Sequence, residues 1–103
     1  IKVAVLDSGY DIEHPDLQGR VIASRDFTYS SNGVDDLNGH GTQTASTVAG
    51  NGHESEGKWV GVAPAADLII GKVLGNTGGG STYGILNGMQ WAVLSEQAVI
   101  VNM

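Results

Sequence analysis

Residues 2–9 read Lys-Val-Ala-Val-Leu-Asp-Ser-Gly, and this stretch decides the fold class. Its apolar run is typical of a short core strand, and the Asp7-Ser8-Gly9 sequence that follows predicts a turn. Open α/β sheets place functional groups at the carboxyl ends of such strands. Asp7 is therefore the first candidate functional residue. The alternative is structural, because an aspartate here can also cap the turn through backbone amides.

Working outward, the chain alternates predicted strands and helices. A minor strand is predicted at 21–23, a helix of small residues at 41–49, a second core strand at 67–74, and a last strand at 98–101. Ser81 is the predicted N-cap of a helix that continues to about residue 96. The apolar positions of that helix at helical spacing are Ile85, Met89, Ala92 and Val93. This order predicts an α/β fold, with a parallel sheet and flanking helices.

Composition excludes several classes of protein. The 103 residues include five basic and eleven acidic side chains, for a net charge of −6. A surface that binds phosphates needs the opposite balance, which argues against nucleic acid as a partner. The absence of cysteine excludes a disulfide framework and thiol catalysis. No apolar stretch approaches the roughly 20 residues of a membrane span, so no membrane partner is expected.

The last six residues read Ala-Val-Ile-Val-Asn-Met, a strand pattern without a turn signal after it. Domains seldom end inside a core strand, because their termini usually lie at the surface. We therefore expect residues 1–103 to be the N-terminal portion of a larger, truncated domain. Since an unpaired apolar strand edge is poorly tolerated in water, we also expect the chain to self-associate through its sheet.

The second candidate functional residue is His40, in the sequence Asn38-Gly39-His40-Gly41-Thr42. Its flanking glycines let other backbone or a substrate approach closely. A lone histidine is more often structural than catalytic, since a satisfied imidazole is common in folded proteins. The combination with Asp7 favours an acid–base function for both residues.

Five short segments are informative in combination: Asp7-Ser8-Gly9, His14-Pro15-Asp16-Leu17, His40-Gly41-Thr42, Gly61-Val62-Ala63-Pro64 and Lys72-Val73-Leu74. Together they resemble the subtilisin-like serine proteases (subtilases, peptidase family S8). An aspartate that precedes the histidine along the chain is the subtilisin order of the Asp-His-Ser triad. The resemblance covers the whole chain. It implies a three-layer α/β/α fold and a secreted serine endopeptidase, of which this chain is the N-terminal part.

The resemblance also implies the roles of the two candidate residues. Asp7 would hold the His40 ring in its productive tautomer and stabilise the imidazolium. His40 would take a proton from a serine hydroxyl and give it to the leaving amine. The family's nucleophile stands in a Gly-Thr-Ser-Met-Ala-like segment well downstream, and an asparagine of the oxyanion hole lies between. Neither is present here, so the chain alone is expected to be inactive.

A glycine-rich segment, Leu74 to Gly80, resembles the edge along which the family binds its extended peptide substrate. The candidate substrate-binding residues are Leu74, Gly78, Gly79, Gly80, Thr82 and Ile85. The glycines alone are also consistent with a flexible loop. A phosphate-binding loop is weakly supported, since no Gly-Lys-Ser/Thr ending follows. Leu74 and Ile85 are equally consistent with core positions.

Calcium is the one cofactor that the resemblance raises, as a structural ion, and the chemistry itself requires none. Asp16 matches a carboxylate that ligates calcium in many subtilases, together with the loop after the histidine helix. That loop, residues 51–58, departs from the usual pattern in length and in its Lys58. Glu54 and Glu56 offer the oxygen ligands that calcium prefers. The alternative is that both glutamates only solvate an exposed loop.

Two other functions stay open at this point. A relative with an incomplete triad would be a non-catalytic module that binds peptides along the Leu74–Gly80 edge. A small doubly wound ligand-binding domain would use an unrelated carboxylate site, but it gives no reason for a histidine between glycines. The expected partner of the leading hypothesis is a peptide or protein substrate.

Overall fold

A computed structural model describes residues 1–103 of the chain. The strands are β1 (Lys2–Asp7), β2 (Val21–Asp26), β3 (Asp67–Lys72) and β4 (Ile100–Asn102). The helices are α1 (His40–Ala49) and α2 (Thr82–Gln90), which continues as a π-helical turn over Trp91–Ser95. Short 3-10 turns span Pro15–Leu17 and His53–Ser55. None of these helices combines the length and apolar character of a membrane span.

The four strands form one parallel sheet in the order β2-β3-β1-β4. In the register of β1 and β3, Val3 lies opposite Leu68 and Asp7 lies opposite Lys72. Because all strands run in the same direction, their carboxyl ends meet at one edge of the sheet. Asp7 ends the strand β1, which lies between β3 and β4.

One helix covers each face of the sheet, as the sequence predicts. On the first face, Val3, Val5, Leu68 and Ile70 pack with Ala45 and Ala49 of α1. On the opposite face, Ala4, Leu6, Ile69 and Val73 pack with Ala92, just beyond α2. The alternation of side chains along a strand produces this division, and both faces are apolar because both are covered. The predicted α/β/α layering is confirmed.

The start of α2 is also as predicted, since the Ser81 hydroxyl accepts the Gly84 N–H at 3.0 Å. Its buried face is as predicted only in part. Of the four apolar positions predicted to face the core, Ala92 is buried and Ile85 packs against the core, whereas Met89 is 38% exposed and Val93 is 48% exposed. Glycines explain the difference, because the helix approaches the sheet through Gly84 and Gly88. A Cβ at Gly88 would lie 2.5 Å from Val73 Cγ1, so only a glycine allows that approach.

Candidate active site

The structure brings the two candidate catalytic residues together at the carboxyl edge of the sheet. Asp7 is the last residue of β1, and its side chain is only 4% exposed. His40 is the first residue of α1, and its side chain is 68% exposed. His40 Nδ1 lies 2.8 Å from Asp7 Oδ2 and 2.9 Å from Oδ1. Thirty-three residues of sequence separate this hydrogen-bonded pair.

The turn after β1 holds both residues in place. The Ser8 backbone N–H donates to Asp7 Oδ1 at 2.7 Å, which orients the carboxylate. The Ser8 hydroxyl accepts the Gly41 N–H at 2.9 Å, which ties α1 to the turn. Gly41 must be glycine, because a Cβ there would overlap the carbonyl oxygen of Gly9. The glycine after His40 therefore lets the first helical turn approach Asp7.

Asp36 caps the start of α1, and sequence reasoning missed it. Its carboxylate accepts the backbone N–H groups of Asn38, Gly39 and Thr42 at 2.9 to 3.0 Å. The hydroxyls of Ser8 and Thr42 donate to it at 2.8 and 2.6 Å. Burial alone would raise the pKa of Asp36, but these hydrogen bonds outweigh it and lower that pKa. An acidic residue just before a helix was the available signal.

Electrostatics at the pair favour the protonated ring. The hydrogen bond to Asp7, and then the charge of that carboxylate, raise the pKa of His40 above its ordinary value. An ionised carboxylate only accepts hydrogen bonds, so in the neutral ring Nδ1 carries the proton. The lone pair is then on Nε2 of a ring whose side chain is largely exposed. Such an imidazole is oriented to accept a proton from a group that approaches from solvent.

The glycine-rich segment starts beside this pair and forms a closed turn. The Leu74 N–H donates to the Asp7 carbonyl at 3.0 Å, and the Gly75 N–H donates to the Gly79 carbonyl at 2.7 Å. Gly78 has a φ of +91°, a conformation that favours glycine. A Cβ at Gly80 would overlap a backbone carbonyl, whereas one at Gly79 would meet nothing within 4 Å. Two of these three glycines are thus required by the shape of the loop itself.

The remaining candidate substrate-binding residues differ in exposure. Thr82 is exposed at the start of α2. Leu74 and Ile85 are half-buried and pack against the α2 side of the core. Both side chains therefore contribute to the core, and only their exposed parts are available to a substrate.

The structure brings only some of the predicted calcium residues together. Asp16 and Glu54 do lie together, with ligand atoms within 4.8 Å, but the third member of the cluster is His14 and not Glu56. Calcium takes six to eight oxygens and disfavours nitrogen. Furthermore, His14 Nδ1 accepts the Asp16 N–H at 3.1 Å, so the neutral ring directs an N–H, which is no ligand, at the Glu54 carboxylate 3.4 Å away.

Hydrogen bonds within the protein order the loop of residues 51–58. Asp16 Oδ1 accepts the Glu54 N–H at 2.7 Å, and the Asp16 carbonyl accepts the Asn51 N–H at 2.9 Å. The carboxylate that the resemblance assigned to an ion is engaged with the backbone of the loop. A structural calcium at Asp16 stays a prediction from the resemblance.

Fold and site together describe an α/β protein with an acid–base pair at the carboxyl edge of a parallel sheet. The sequence profile of the subtilase family (Peptidase_S8) matches residues 1–103. The chain is 46% identical to the "Major intracellular serine protease" of Bacillus subtilis (strain 168), over 97% of this chain and 32% of that protein. It is also 46% identical to Subtilisin E of the same organism, over 97% of this chain and 26% of the relative.

Among solved structures, a cold adapted subtilisin-like serine proteinase matches with a TM-score of 0.78 at 30% identity, over 99% of this chain and 35% of that one. This chain belongs to the subtilase family. It spans a third or less of the length of the curated relatives named above. Family membership does not decide location, because two similar relatives are described as intracellular.

We predict that Gly41→Ala separates the pair. The added Cβ would displace α1 from the turn after β1, which lowers the free energy of unfolding by about 2 kcal/mol. With His40 further from Asp7, the pKa of His40 returns toward its ordinary value. Urea unfolding and an NMR titration of the ring measure both effects. Gly79→Ala, where nothing would touch the new methyl, is the matched control. An unchanged His40 pKa in Gly41→Ala would contradict the assigned contact.

The raised pKa of His40 makes the stability depend on pH. The folded state holds the ring proton more tightly, so the contribution of the pair is complete below the unfolded pKa, about 6.5. It is lost as the pH rises through the folded pKa. Wild type should therefore exceed Asp7→Asn in stability by more at pH 6 than at pH 9, measured by urea unfolding. In a His40→Ala background the difference should be independent of pH, and a persistent dependence would refute this origin.

Proposed function

We propose that this chain supplies the acid and the base of a serine endopeptidase, with its serine on another part of the polypeptide. The observation that carries the proposal is the 2.8 Å contact between a buried Asp7 carboxylate and Nδ1 of an exposed His40. A buried carboxylate on Nδ1 of a largely exposed ring is the arrangement of the Asp-His part of a catalytic triad. Descriptions of its relatives as serine proteases support the same function.

The geometry accounts for each step of peptide hydrolysis that falls to these residues. Asp7 accepts the Nδ1–H and keeps the ring in the tautomer with a free Nε2 lone pair. Nε2 then accepts the proton of the serine hydroxyl as that oxygen attacks the peptide carbonyl. The imidazolium formed is stabilised by Asp7, and it donates its proton to the leaving amine. A general base in this position contributes about 10² to 10⁴ in rate.

The proposed substrate is an extended peptide that pairs with the glycine-rich segment. Gly79 and Gly80 are exposed, and the turn uses only the carbonyl of Gly79 among the backbone groups of these two residues. Free backbone groups without side chains are suited to strand addition. Exposed parts of Leu74, Thr82 and Ile85 would then contact the side chains of the peptide upstream of the cleaved bond.

The proposed chemistry needs no cofactor, because proton transfer and nucleophilic attack use only side chains. The surplus of acidic residues supports a peptide or protein partner over nucleic acid. A secreted location stays a prediction from the resemblance, and the relatives described as intracellular count against it. A non-catalytic peptide-binding module remains the competing function, and the following experiment separates the two.

The test joins residues 1–103 to the remainder of Subtilisin E, in place of the segment to which 97% of this chain aligns. We expect the chimaera to cleave a fluorogenic peptide and to react with a fluorophosphonate. The chain alone should do neither, because no serine hydroxyl forms a hydrogen bond with His40. In the chimaera, His40→Ala should lower kcat by about 10⁶ and Asp7→Ala by about 10⁴, the magnitudes known for a subtilisin triad.

Matched controls are His53→Gln and Asp11→Asn, an exposed histidine and a carboxylate that do not contact the pair. Both should retain activity. A folded, inactive chimaera that still binds the peptide would support the non-catalytic module instead. Stoichiometric labelling of any serine in the chain alone would overturn the assignment of the nucleophile to another part of the polypeptide.

We also propose that the isolated chain self-associates, with a second copy as the occupant of the β4 edge. β4 is an edge strand of the sheet, and Val99 and Ile100 there are 73% and 52% exposed. The adjoining helix exposes Leu86, Met89 and Val93 as well. An apolar surface beside an unpaired strand is the arrangement that favours pairing between copies.

Light scattering after size exclusion should therefore show dimers or larger species at micromolar concentration. Ile100→Lys should shift the population toward monomer, since a charge on an edge strand opposes pairing. Ile12→Lys is the control, because Ile12 is similarly exposed, at 48%, but lies away from β4. A stable monomer of the wild-type chain would contradict this proposal.

A further inference from the structure

Lys72, the last residue of β3, is completely buried and lies opposite Asp7 in the sheet. No carboxylate oxygen lies within 4 Å of its Nζ, since the ion pairs of the chain are His14–Glu54 and His40–Asp7. Buried lysines are rare, and a buried ammonium must donate its N–H groups to nearby acceptors. The acceptors of the Lys72 ammonium therefore show which parts of the chain this residue connects.

Two neutral oxygens from different loops accept the Lys72 ammonium. The Asp35 carbonyl lies 2.7 Å from Nζ, and the Asn76 Oδ1 lies 2.8 Å from it. Asn32 closes a ring, because its Nδ2 donates to the Asp35 carbonyl at 2.7 Å and its Oδ1 accepts Asn76 Nδ2 at 3.0 Å. The network Lys72–Asn76–Asn32–Asp35, named here the lysine ring, is thus closed through four hydrogen bonds.

The lysine ring joins the two parts of the site. Asn76 lies in the glycine-rich loop, between Leu74 and Gly78, which is the proposed peptide edge. Asp35 immediately precedes Asp36, the cap of the helix that begins with His40. A further contact, from Asn38 Nδ2 to the Asn76 carbonyl at 3.4 Å, runs parallel to the ring.

We propose that the lysine ring positions the peptide edge relative to His40, with Asn76 as a positioning residue whose side chain bonds to Lys72 and Asn32 and not to the reacting atoms. The meaning of this role for catalysis rests on the proposed protease function. Its physical basis does not: if the two loops separate, the ammonium of the buried Lys72 loses one of its two acceptors, and leaving a charged donor unsatisfied costs free energy. The ammonium therefore resists independent movement of either loop.

Amide hydrogen exchange on the wild-type chain and its variants tests the link. Gly75 and Gly78, whose N–H groups close the glycine-rich turn, report on the peptide edge. Gly39 and Thr42, whose N–H groups donate to Asp36, report on the start of α1. In Asn76→Ala we expect exchange to be at least tenfold faster at the first pair of amides and at least threefold faster at the second.

Thr77→Ala is the matched control, because Thr77 is the exposed neighbour and its side chain makes no hydrogen bond. It should change neither pair of amides. Asn32→Ala removes a member of the ring that lies in the other loop. It should reproduce the effect of Asn76→Ala, with faster amide exchange at Gly75 and Gly78. As a spectroscopic signature, the His40 Nδ1 proton should exchange with water several times faster in both asparagine variants.

The link is refuted if each asparagine variant affects only its own loop, or if neither changes exchange. It is also refuted if both variants lose the exchange protection of the β3 amides, because the ring would then support global stability and not relative position. All these measurements use the chain without substrate. Their failure would leave the protease proposal intact, and an inactive chimaera would leave the lysine ring intact.

Discussion

The first turn of α1 lies directly against the turn that follows β1, and the rest of the site depends on this contact. Gly41 faces Gly9 with no room for a Cβ, and the Ser8 hydroxyl accepts the Gly41 N–H. Only with this approach can the side chain of His40 reach the buried carboxylate of Asp7. A backbone contact between two glycine-containing segments thus sets the geometry of a side-chain pair.

The parallel direction of the strands brings the parts of the site to one edge of the sheet. Asp7 ends β1, Lys72 ends β3, and the loops that follow both strands emerge at the same edge. The acid, the helix that carries the base and the glycine-rich loop therefore meet at this edge, although 33 positions of sequence separate Asp7 from His40. The buried charges at the two strand ends have different partners. The Asp7 carboxylate pairs with an imidazole, while the Lys72 ammonium donates to neutral oxygens of the two loops.

Sequence reasoning found the features that short motifs carry. Asp7 at a strand end, His40 between glycines and the Ser81 cap are each visible in a few adjacent residues, and so is the order of strands and helices. It missed Asp36, although the backbone N–H groups that this carboxylate accepts lie only two to six positions further along the chain. It did not find the lysine ring, because two of the four hydrogen bonds in the ring join residues 37 and 44 positions apart. No local spacing indicates which carbonyl a buried lysine will meet.

The prediction for the core-facing side of α2 was wrong in part, for a physical reason. Ala92 and Ile85 pack on the core as expected, but Met89 and Val93 are exposed. Glycines face the sheet there because the helix lies too close to it for larger side chains. The close approach is set by the partner strand, which the spacing of apolar residues along the helix does not reveal.

The central claim is that Asp7 holds the His40 ring with its proton on Nδ1 and its lone pair on Nε2. Long-range proton–nitrogen correlation NMR of the ¹⁵N-labelled chain, recorded above the pKa of His40, measures this tautomer directly. We expect a protonated Nδ1 and an unprotonated Nε2, and the reverse or an even mixture in Asp7→Asn. A wild-type ring with its proton on Nε2 would contradict the account.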